Sequence, residues 1–303
     1  MAITTTRREG HDVEQLGKTL LKTLPTDVMG LSFEPETPEE RVQRKVDSYN
    51  AEIGTLDQED GWNCDICKNK GQIAYVGAPD AFGFPAEYLR PCKCCKTRNA
   101  LRRLARSGLK DAVKKLTFDR YEAKDTWQQA IKEAAQRFTK EGGESWFYIG
   151  GQSGAGKTHI CTAVAVQMIR QGHEVRYMVW RDEAPRIKAL VNEPDQYAKL
   201  MQELKETDVL YIDDLFKDGK DADGRYKQPT AADVKLAFEI INYRYNNPAL
   251  ITIISSERTL HELNDIDEAI AGRIAERSKP GGYCVNLKPD RNKNWRMQGM
   301  LEF

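Results

Sequence analysis

The stretch Gly151-Gln152-Ser153-Gly154-Ala155-Gly156-Lys157-Thr158 fills every required position of the phosphate-binding template G-x-x-x-x-G-K-[ST]. It constrains the fold more than any other feature of the chain. The template works only between a buried strand and a helix N-terminus, where backbone N–H groups and the helix dipole converge on one triphosphate. Both neighbours are present. Trp146-Phe147-Tyr148-Ile149 is a short apolar run suited to a buried parallel strand, and Cys161, Val164, Ala165, Met168 and Ile169 repeat at helical spacing after the loop. Glycines at 151, 154 and 156 permit backbone conformations and a close phosphate approach that a Cβ would block. Lys157 is placed to reach the β- and γ-phosphates of ATP, and Thr158 to hold Mg²⁺ through its hydroxyl.

The rest of an α/β architecture follows in order. Glu174 to Trp180 reads as a second strand, and two helical segments with a break near Pro194 lead to Asp208-Val209-Leu210-Tyr211-Ile212-Asp213-Asp214. That apolar strand ends in paired acids. Asp213 is expected to approach the Mg²⁺ shell, and Asp214 to orient and deprotonate the attacking water. Residues 216 to 229 form a polar loop beside that site. A helix from about Thr230 to Asn246 precedes a fourth strand, Leu250 to Ser256, whose hydroxyl end makes Ser256 the expected γ-phosphate sensor. A helix over Asp265 to Arg277 carries Arg273 and Arg277 one turn apart, and Tyr283 to Leu287 reads as a fifth strand. Only sixteen residues follow it, too few for a helical lid, so the expected domain is a lidless five-stranded parallel sheet flanked by helices. Arg291 and Arg296 are then the candidates for a sensor arginine acting within the chain. Upstream, Leu116 to Tyr121 precedes an amphipathic helix carrying Trp127, Ile131, Ala134 and Phe138. Phe118 is the candidate to stack on adenine there, with core packing as its alternative role.

Cysteine usage points to a second, smaller module. Five of seven cysteines lie between positions 64 and 95, as Cys64-Asp65-Ile66-Cys67 and then Cys92-Lys93-Cys94-Cys95 after a 24-residue interval. A C-x-x-C knuckle presents two thiolates to one ion, and a second cluster after such an interval can close a tetrahedral Zn²⁺ site. The expected ligands are Cys64, Cys67, Cys92 and Cys94, with Cys95 as the alternative fourth. Four cysteines leave no open position for water, so the role is structural. Cys161 and Cys284 fall in the P-loop helix and last strand as core residues. From Lys93 to Lys115 nine Lys or Arg residues face one acid, Asp111, and Leu101 and Leu104 mark an apolar side. This reads as a helix with a cationic outer face, either solvated or set against DNA phosphates. Gly108 marks the boundary expected between an N-terminal region, 1–108, with its zinc module at about 61–95, and a nucleotide domain, 109–303.

Residues 1–60 are polar, with two narrow apolar stripes, Val13-Leu16-Leu20-Leu24 and Val42-Val46-Tyr49-Ile53, that either pack on their own domain or meet a partner protein. Lys plus Arg and Asp plus Glu are each 46, so no global field points to nucleic acid. No run approaches the ~18 apolar residues of a membrane span, and the N-terminus lacks the apolar core of a signal peptide. A cytosolic protein without membrane contact is expected.

Residues 109–303 resemble the ATPase domain of the AAA+ helicase-loader family, the bacterial DnaC and DnaI proteins, together with the IstB transposition ATPases. The resemblance is carried by Leu116-Thr117-Phe118-Asp119, the P-loop followed by His159, Ile212-Asp213-Asp214-Leu215, Ile241-Asn242-Tyr243-Arg244-Tyr245, Ile254-Ser255-Ser256-Glu257, and Gly272-Arg273-Ile274-Ala275-Glu276-Arg277. The cysteine module is similar to that of DnaI-like and phage-encoded loaders, and IstB proteins generally lack it. The resemblance implies an AAA+ ATPase binding ATP or ADP with Mg²⁺, with His159 counted in the nucleotide site. It implies an arginine finger from the next subunit, which maps onto Arg273, and ATP-dependent self-association into a ring or helical oligomer. It also implies single-stranded DNA binding, and an N-terminal module gripping a DnaB-type replicative helicase in a bacterial or phage-infected cell. Many relatives carry Thr-Ser-Asn where this chain has Ser255-Ser256-Glu257. Two other functions stay open: an IstB-like regulator of transposition, and a non-hydrolysing ATP-dependent adaptor in which Asp214, shorter than the usual glutamate, poises water poorly.

Overall fold

In the computed structural model, which describes residues 36–109, 112–219, 227–290 and 293–295, all five expected strands form one parallel sheet. The described residues fall into two compact units, 36–50 with 74–89, and the remainder. The stripe Val13 to Leu24 lies outside the described residues, as do Lys110, Asp111, Arg291 and Arg296 and positions 220–226 of the polar loop.

In the smaller unit, α1 (Pro38–Ala51) buries Val46, and the Asn50 side chain exchanges two hydrogen bonds with the Ala74 backbone. In the larger unit, α2 (Leu56–Asp60) ends at Gly61. Strands β1 (Gln72–Val76) and β2 (Glu87–Pro91), whose residues 74–76 and 87–89 belong to the smaller unit, pair across the interval between the cysteine clusters. Helix α3 (Cys94–Leu104) follows, buries Leu101 and Leu104 in the core on one face of the large sheet, and gives way to a kink where Gly108 takes φ +116°. After the short α4 (Ala112–Lys115) comes α5 (Thr126–Glu141), started by a capping box between Asp125 and Gln128.

The sheet is built from β3 (Phe147–Gly151), β4 (Val175–Val179), β5 (Val209–Asp213), β6 (Ile251–Ser256) and β7 (Cys284–Leu287), in the order β4-β5-β6-β3-β7. The three inner strands are buried along their whole length and the two edge strands only in part, which is why β3, β5 and β6 read as continuous apolar runs. Strand alternation sorts the core into two layers. Phe147, Ile149, Val209, Tyr211 and Ile253 pack on one face with α5 and α6 (Lys157–Arg170). Trp146, Tyr148, Leu210, Ile212 and Ile254 pack on the other, with α7 (Trp180–Ala189), α8 (Pro194–Glu206), α9 (Ala231–Tyr245), α10 (Leu260–Asn264) and α11 (Glu268–Ser278). Pro194 opens α8 at the expected break. The helix expected over 265–277 runs over Glu268–Ser278, because the Asp267 carboxylate caps it by accepting the Ile270 N–H, which leaves 265–267 outside the helix. Arg244, fully buried, has its guanidinium on the carbonyls of Lys205, Thr207 and Ile251 and on the Thr252 hydroxyl, and so ties α8 to the entry edges of β5 and β6.

Candidate nucleotide-binding site and cysteine cluster

The parallel order brings the C-terminal ends of β3, β5 and β6 side by side, so the P-loop, the paired acids and Ser255-Ser256-Glu257 meet at one edge. A cavity of about 450 Å³ opens there, lined by the P-loop from Ser153 to Thr158 together with His159, Asp214, Lys217 and Glu257. Such a volume lies within the ordinary range for a small-molecule site.

The loop's backbone explains its glycines at two positions. Gly156 caps α6 at φ +82° with the Tyr121 ring 3.1 Å from where a Cβ would stand. Gly154 takes φ +81°, and a Cβ there would meet the Asn294 side chain at 2.0 Å. Lys157 is buried, its ammonium oriented by the carbonyls of Gly151 and Gln152 at 2.8 and 2.7 Å, and burial draws its pKa below that of an ordinary lysine. Gln152 exchanges two hydrogen bonds with the backbone of Asp290, and the Trp295 N–H donates to Gly154 at 3.0 Å, so the segment after β7 is fastened to the loop.

Thr158 Oγ1 stands 3.4 Å from Asp213 Oδ1, the hard-oxygen pair that Mg²⁺ favours. Asp213 is buried at the end of β5 and, besides the Thr158 hydroxyl, accepts from those of Tyr177 at 2.8 Å, Tyr211 at 2.9 Å and Ser255 at 2.5 Å. Burial, and then the Asp213 carboxylate, push both phenols well above the ordinary tyrosine range, so both remain proton donors to it. Asp214 follows at φ +58° and turns into the cavity, where its carboxylate meets Lys217 at 2.8 Å. Burial raises its pKa, and the neighbouring acids Asp213 and Glu257 add to this against the pull of Lys217.

Two expected site residues are elsewhere. Ser256 directs its hydroxyl to the Leu215 carbonyl at 2.8 Å and accepts the Arg258 N–H, away from the cavity. Successive strand side chains alternate, and Ser255 has the Asp213 side. Phe118 lies half-buried against the core, in a separate cleft with Gln136 and Arg170. The aromatics on the nucleotide cavity are Tyr121, Trp127 and Trp295, and the buried Tyr121 hydroxyl has no partner among the described residues. His159 supports this wall, with Nε2 at 2.9 Å from the Thr117 carbonyl and its ring edge-on to Tyr121. The sequence signal for Tyr121 was its place three residues after Phe118; Trp295 and Lys217 had none.

Arg273 is on α11, not on this cavity. Its Nε donates to Asn242 at 3.0 Å, Nη1 to the Ala269 carbonyl at 2.9 Å, and the guanidinium lies over the rings of Phe238 and Tyr245. The pairing with Glu276 that would make it an ordinary surface ion pair is not formed, because Glu276 accepts from Tyr245 at 2.7 Å. Arg277 is fully engaged in the fold, on the carbonyls of Glu144, Tyr245 and Pro248 and over Trp146.

The four thiols of Cys64, Cys67, Cys92 and Cys94 lie within 4.8 Å of one another and all are buried. Cys95 is set apart, its thiol donating to the Gly71 carbonyl at 3.1 Å. Burial opposes ionisation and raises the pKa of Cys92 and Cys94, whereas the Gly71 N–H at 3.3 Å and the neighbouring thiols hold Cys67 down to about 7. Arg98 is buried beside Cys94 and pairs with Asp60 at 2.6 Å. Of the basic residues counted toward the cationic outer face of α3, Arg98 lies instead in the interior. Arg102 and Arg103 are exposed but also paired, with Glu59 at 3.1 Å and Glu174 at 3.7 Å. Cys161 is fully buried in the core and Cys284 half-buried.

A family model described as IstB-like ATP binding protein matches residues 93–289. The uncharacterized protein YqaM of Bacillus subtilis is 33% identical over 232 residues, 72% of this chain and 70% of its own length. The phage-like element PBSX protein XkdC of the same organism is 31% identical over 258 residues, 79% and 88% of the two chains. The replicative helicase loader DnaC of Buchnera aphidicola is 25% identical over 137 residues, 44% of this chain and 54% of its own.

Proposed function

The chain belongs to the IstB-like ATP-binding protein family, and from that premise we propose that it is an ATP-dependent loader that places a DnaB-type hexameric helicase on single-stranded DNA. The observation that carries the ATPase reading is the convergence of Lys157, the Thr158–Asp213 pair and Asp214 on one cavity. In the proposed hydrolysis, water attacks the γ-phosphorus while Asp214 takes its proton. The bond to the β,γ-bridging oxygen breaks, and ADP leaves with that electron pair. Lys157 and the P-loop N–H groups bind the phosphates, and Asp213 and Thr158 are the residues that would hold Mg²⁺, which would supply charge neutralisation of the phosphates. The buried phenols of Tyr177 and Tyr211 keep Asp213 oriented toward Thr158. Because Arg273 lies off its own chain's cavity, we assign it to a neighbour's ATP in a ring or helical oligomer.

The helicase half of the reading is supported by the similarity to the DnaC loaders and by the cysteine cluster ahead of the ATPase. We assign helicase binding to residues 1–108, ATP hydrolysis to 109–303, a structural Zn²⁺ to Cys64, Cys67, Cys92 and Cys94, and the cytoplasm as the place of action. No helix among the described residues is long and apolar enough to cross a membrane. The family description favours one second reading, a transposition ATPase. The test is ATP turnover by the full chain with and without single-stranded DNA, together with capture from extract of the native cell. DNA-stimulated turnover and recovery of the replicative helicase are expected. Recovery of a transposase instead would replace this reading, and ATP binding without turnover under any condition would make the protein an adaptor.

A further inference from the structure

The turn after β5 fixes a second lysine at the phosphate end of the cavity. Asp214 and Phe216 both take left-handed φ, +58° and +54°, a conformation costly for a bulky residue. Phe216 is nevertheless buried, edge-on to Trp180 with centroids 5.3 Å apart, and the Lys217 N–H closes the turn on the Asp214 carbonyl at 2.9 Å. Packing therefore determines where Lys217 points. Its ammonium lies 2.8 Å from Asp214 Oδ2 and 3.1 Å from Glu257 Oε1, and all three side chains line the cavity with Ser153 and Lys157.

The charges at this end need explaining. Glu257 adds a third acid beside Asp213 and Asp214, at a place meant for an anion. Such a carboxylate opposes triphosphate binding unless it holds a cation there. Glu257 does hold one, and it is itself only 10% exposed. A lysine ammonium has three N–H donors, and two are accounted for by Asp214 and Glu257, which leaves one for a phosphate oxygen. Burial pulls the ammonium toward neutrality, but the two carboxylates outweigh it and keep the charge in place.

The geometry points to Lys217, carried by Glu257, as the group within the chain that reads the γ-phosphate and so distinguishes ATP from ADP. A γ-phosphate reaching this end takes the free donor and competes with Asp214 for the ammonium, which frees the Asp214 carboxylate to face the water. Lys157 reaches the β-phosphate that both nucleotides carry as well as the γ-phosphate, whereas Lys217 meets only the third. This inference rests on the ATPase reading above.

The test is equilibrium binding of β,γ-methylene ATP and of ADP, each with Mg²⁺, to the full chain, the Lys217→Met variant and the Lys217→Arg variant. Lys217→Met should weaken the triphosphate by roughly tenfold to a hundredfold, the scale of one charged hydrogen bond, and leave ADP within about twofold. Lys217→Arg should recover most of the discrimination. Retained ADP affinity also shows that the variant is folded. Equal losses for both nucleotides would overturn the inference and make Lys217 a builder of the turn; unchanged affinity for both would overturn it as well. If the unaltered chain binds neither nucleotide, the ATPase reading fails together with this one, whereas normal binding with no Lys217 effect removes only this one.

Discussion

The cysteine cluster and the nucleotide cavity are both gatherings of ionisable groups, but one closes on itself and the other opens outward. Around Cys64, Cys67, Cys92 and Cys94 every thiol is buried, and the nearest charges, Arg98 and Asp60, are buried and paired to each other. In the cavity, Lys157 and Lys217 lie against carbonyls and carboxylates at the rim of an open space, and the Tyr121 hydroxyl has no partner among the described residues. A site whose groups are all turned inward contributes stability. One whose groups face a cavity is built to exchange partners. Perturbing the first should therefore change melting and spare affinity, and perturbing the second should do the reverse.

Removing zinc is the largest expected perturbation, since structural sites of this kind bind metal with about 10–16 kcal/mol. Metal analysis should find one zinc per chain, and chelation should unfold residues 61–95 while ATP still binds. Because Leu101 and Leu104 of α3 pack into the core on one face of the large sheet, loss of ATP affinity on chelation would join the two regions into one and break the comparison. A preparation made without chelator that contains no zinc would remove the metal assignment.

In the cavity, Lys157→Ala should abolish ATP binding at an unchanged melting temperature. Arg273→Ala should bind ATP normally and lose turnover by roughly 10³-fold or more, the scale of arginine fingers in other P-loop enzymes. Mixing the two inactive variants pairs an intact P-loop with an intact Arg273, so partial hydrolysis should return. No recovery despite demonstrated co-assembly would move Arg273 out of the neighbour's site.

Asp60→Ala comes next. It leaves Arg98 buried without its carboxylate, an arrangement that costs about 3–5 kcal/mol. Thermal unfolding should show that loss, and nucleotide titration should show none. A stable Asp60→Ala protein would mean that Arg98 is balanced by the cysteine cluster alone. The smallest effect belongs to the exposed pairs. Reversing charge at Arg102 and Arg103 should cost under about 1 kcal/mol of stability, and a flatter salt dependence of single-stranded DNA binding is expected if this face of α3 is set against DNA phosphates. An unchanged salt slope would leave both arginines as surface pairs.

The parallel sheet, the P-loop and the four thiols were legible in sequence because each is set by local spacing: apolar runs, G-x-x-x-x-G-K-[ST], and paired C-x-x-C and C-x-C clusters. What was not legible depends on which way a side chain faces once distant strands meet. Ser255 and Ser256 are equivalent as letters, and only the pairing of β6 with β5 decides that Ser255 reaches Asp213. A run of basic residues on α3 reads as a cationic face, and nothing in it reveals that Arg98 finds Asp60 in its interior. Phe118 and Tyr121 are both aromatic and near the loop, and the turn around Thr117 sends only the second to Gly156. Lys217 sits in a polar loop whose left-handed backbone at a phenylalanine no propensity would suggest.

The position of β3 in the sheet also bears on how the chain is made. Its neighbours are β6 and β7, both encoded about a hundred residues or more downstream, and the fastening of Gln152 to Asp290 comes later still. During synthesis at ~5–20 residues per second, the apolar strand that carries the P-loop leaves the ribosome and waits roughly ten seconds for the partners that shield it. Its four aromatic and aliphatic side chains, from Trp146 to Ile149, are meanwhile a sticky segment. Newly made protein should thus depend on a holding chaperone until the last strand emerges, and nucleotide competence should be the final property that the growing chain acquires.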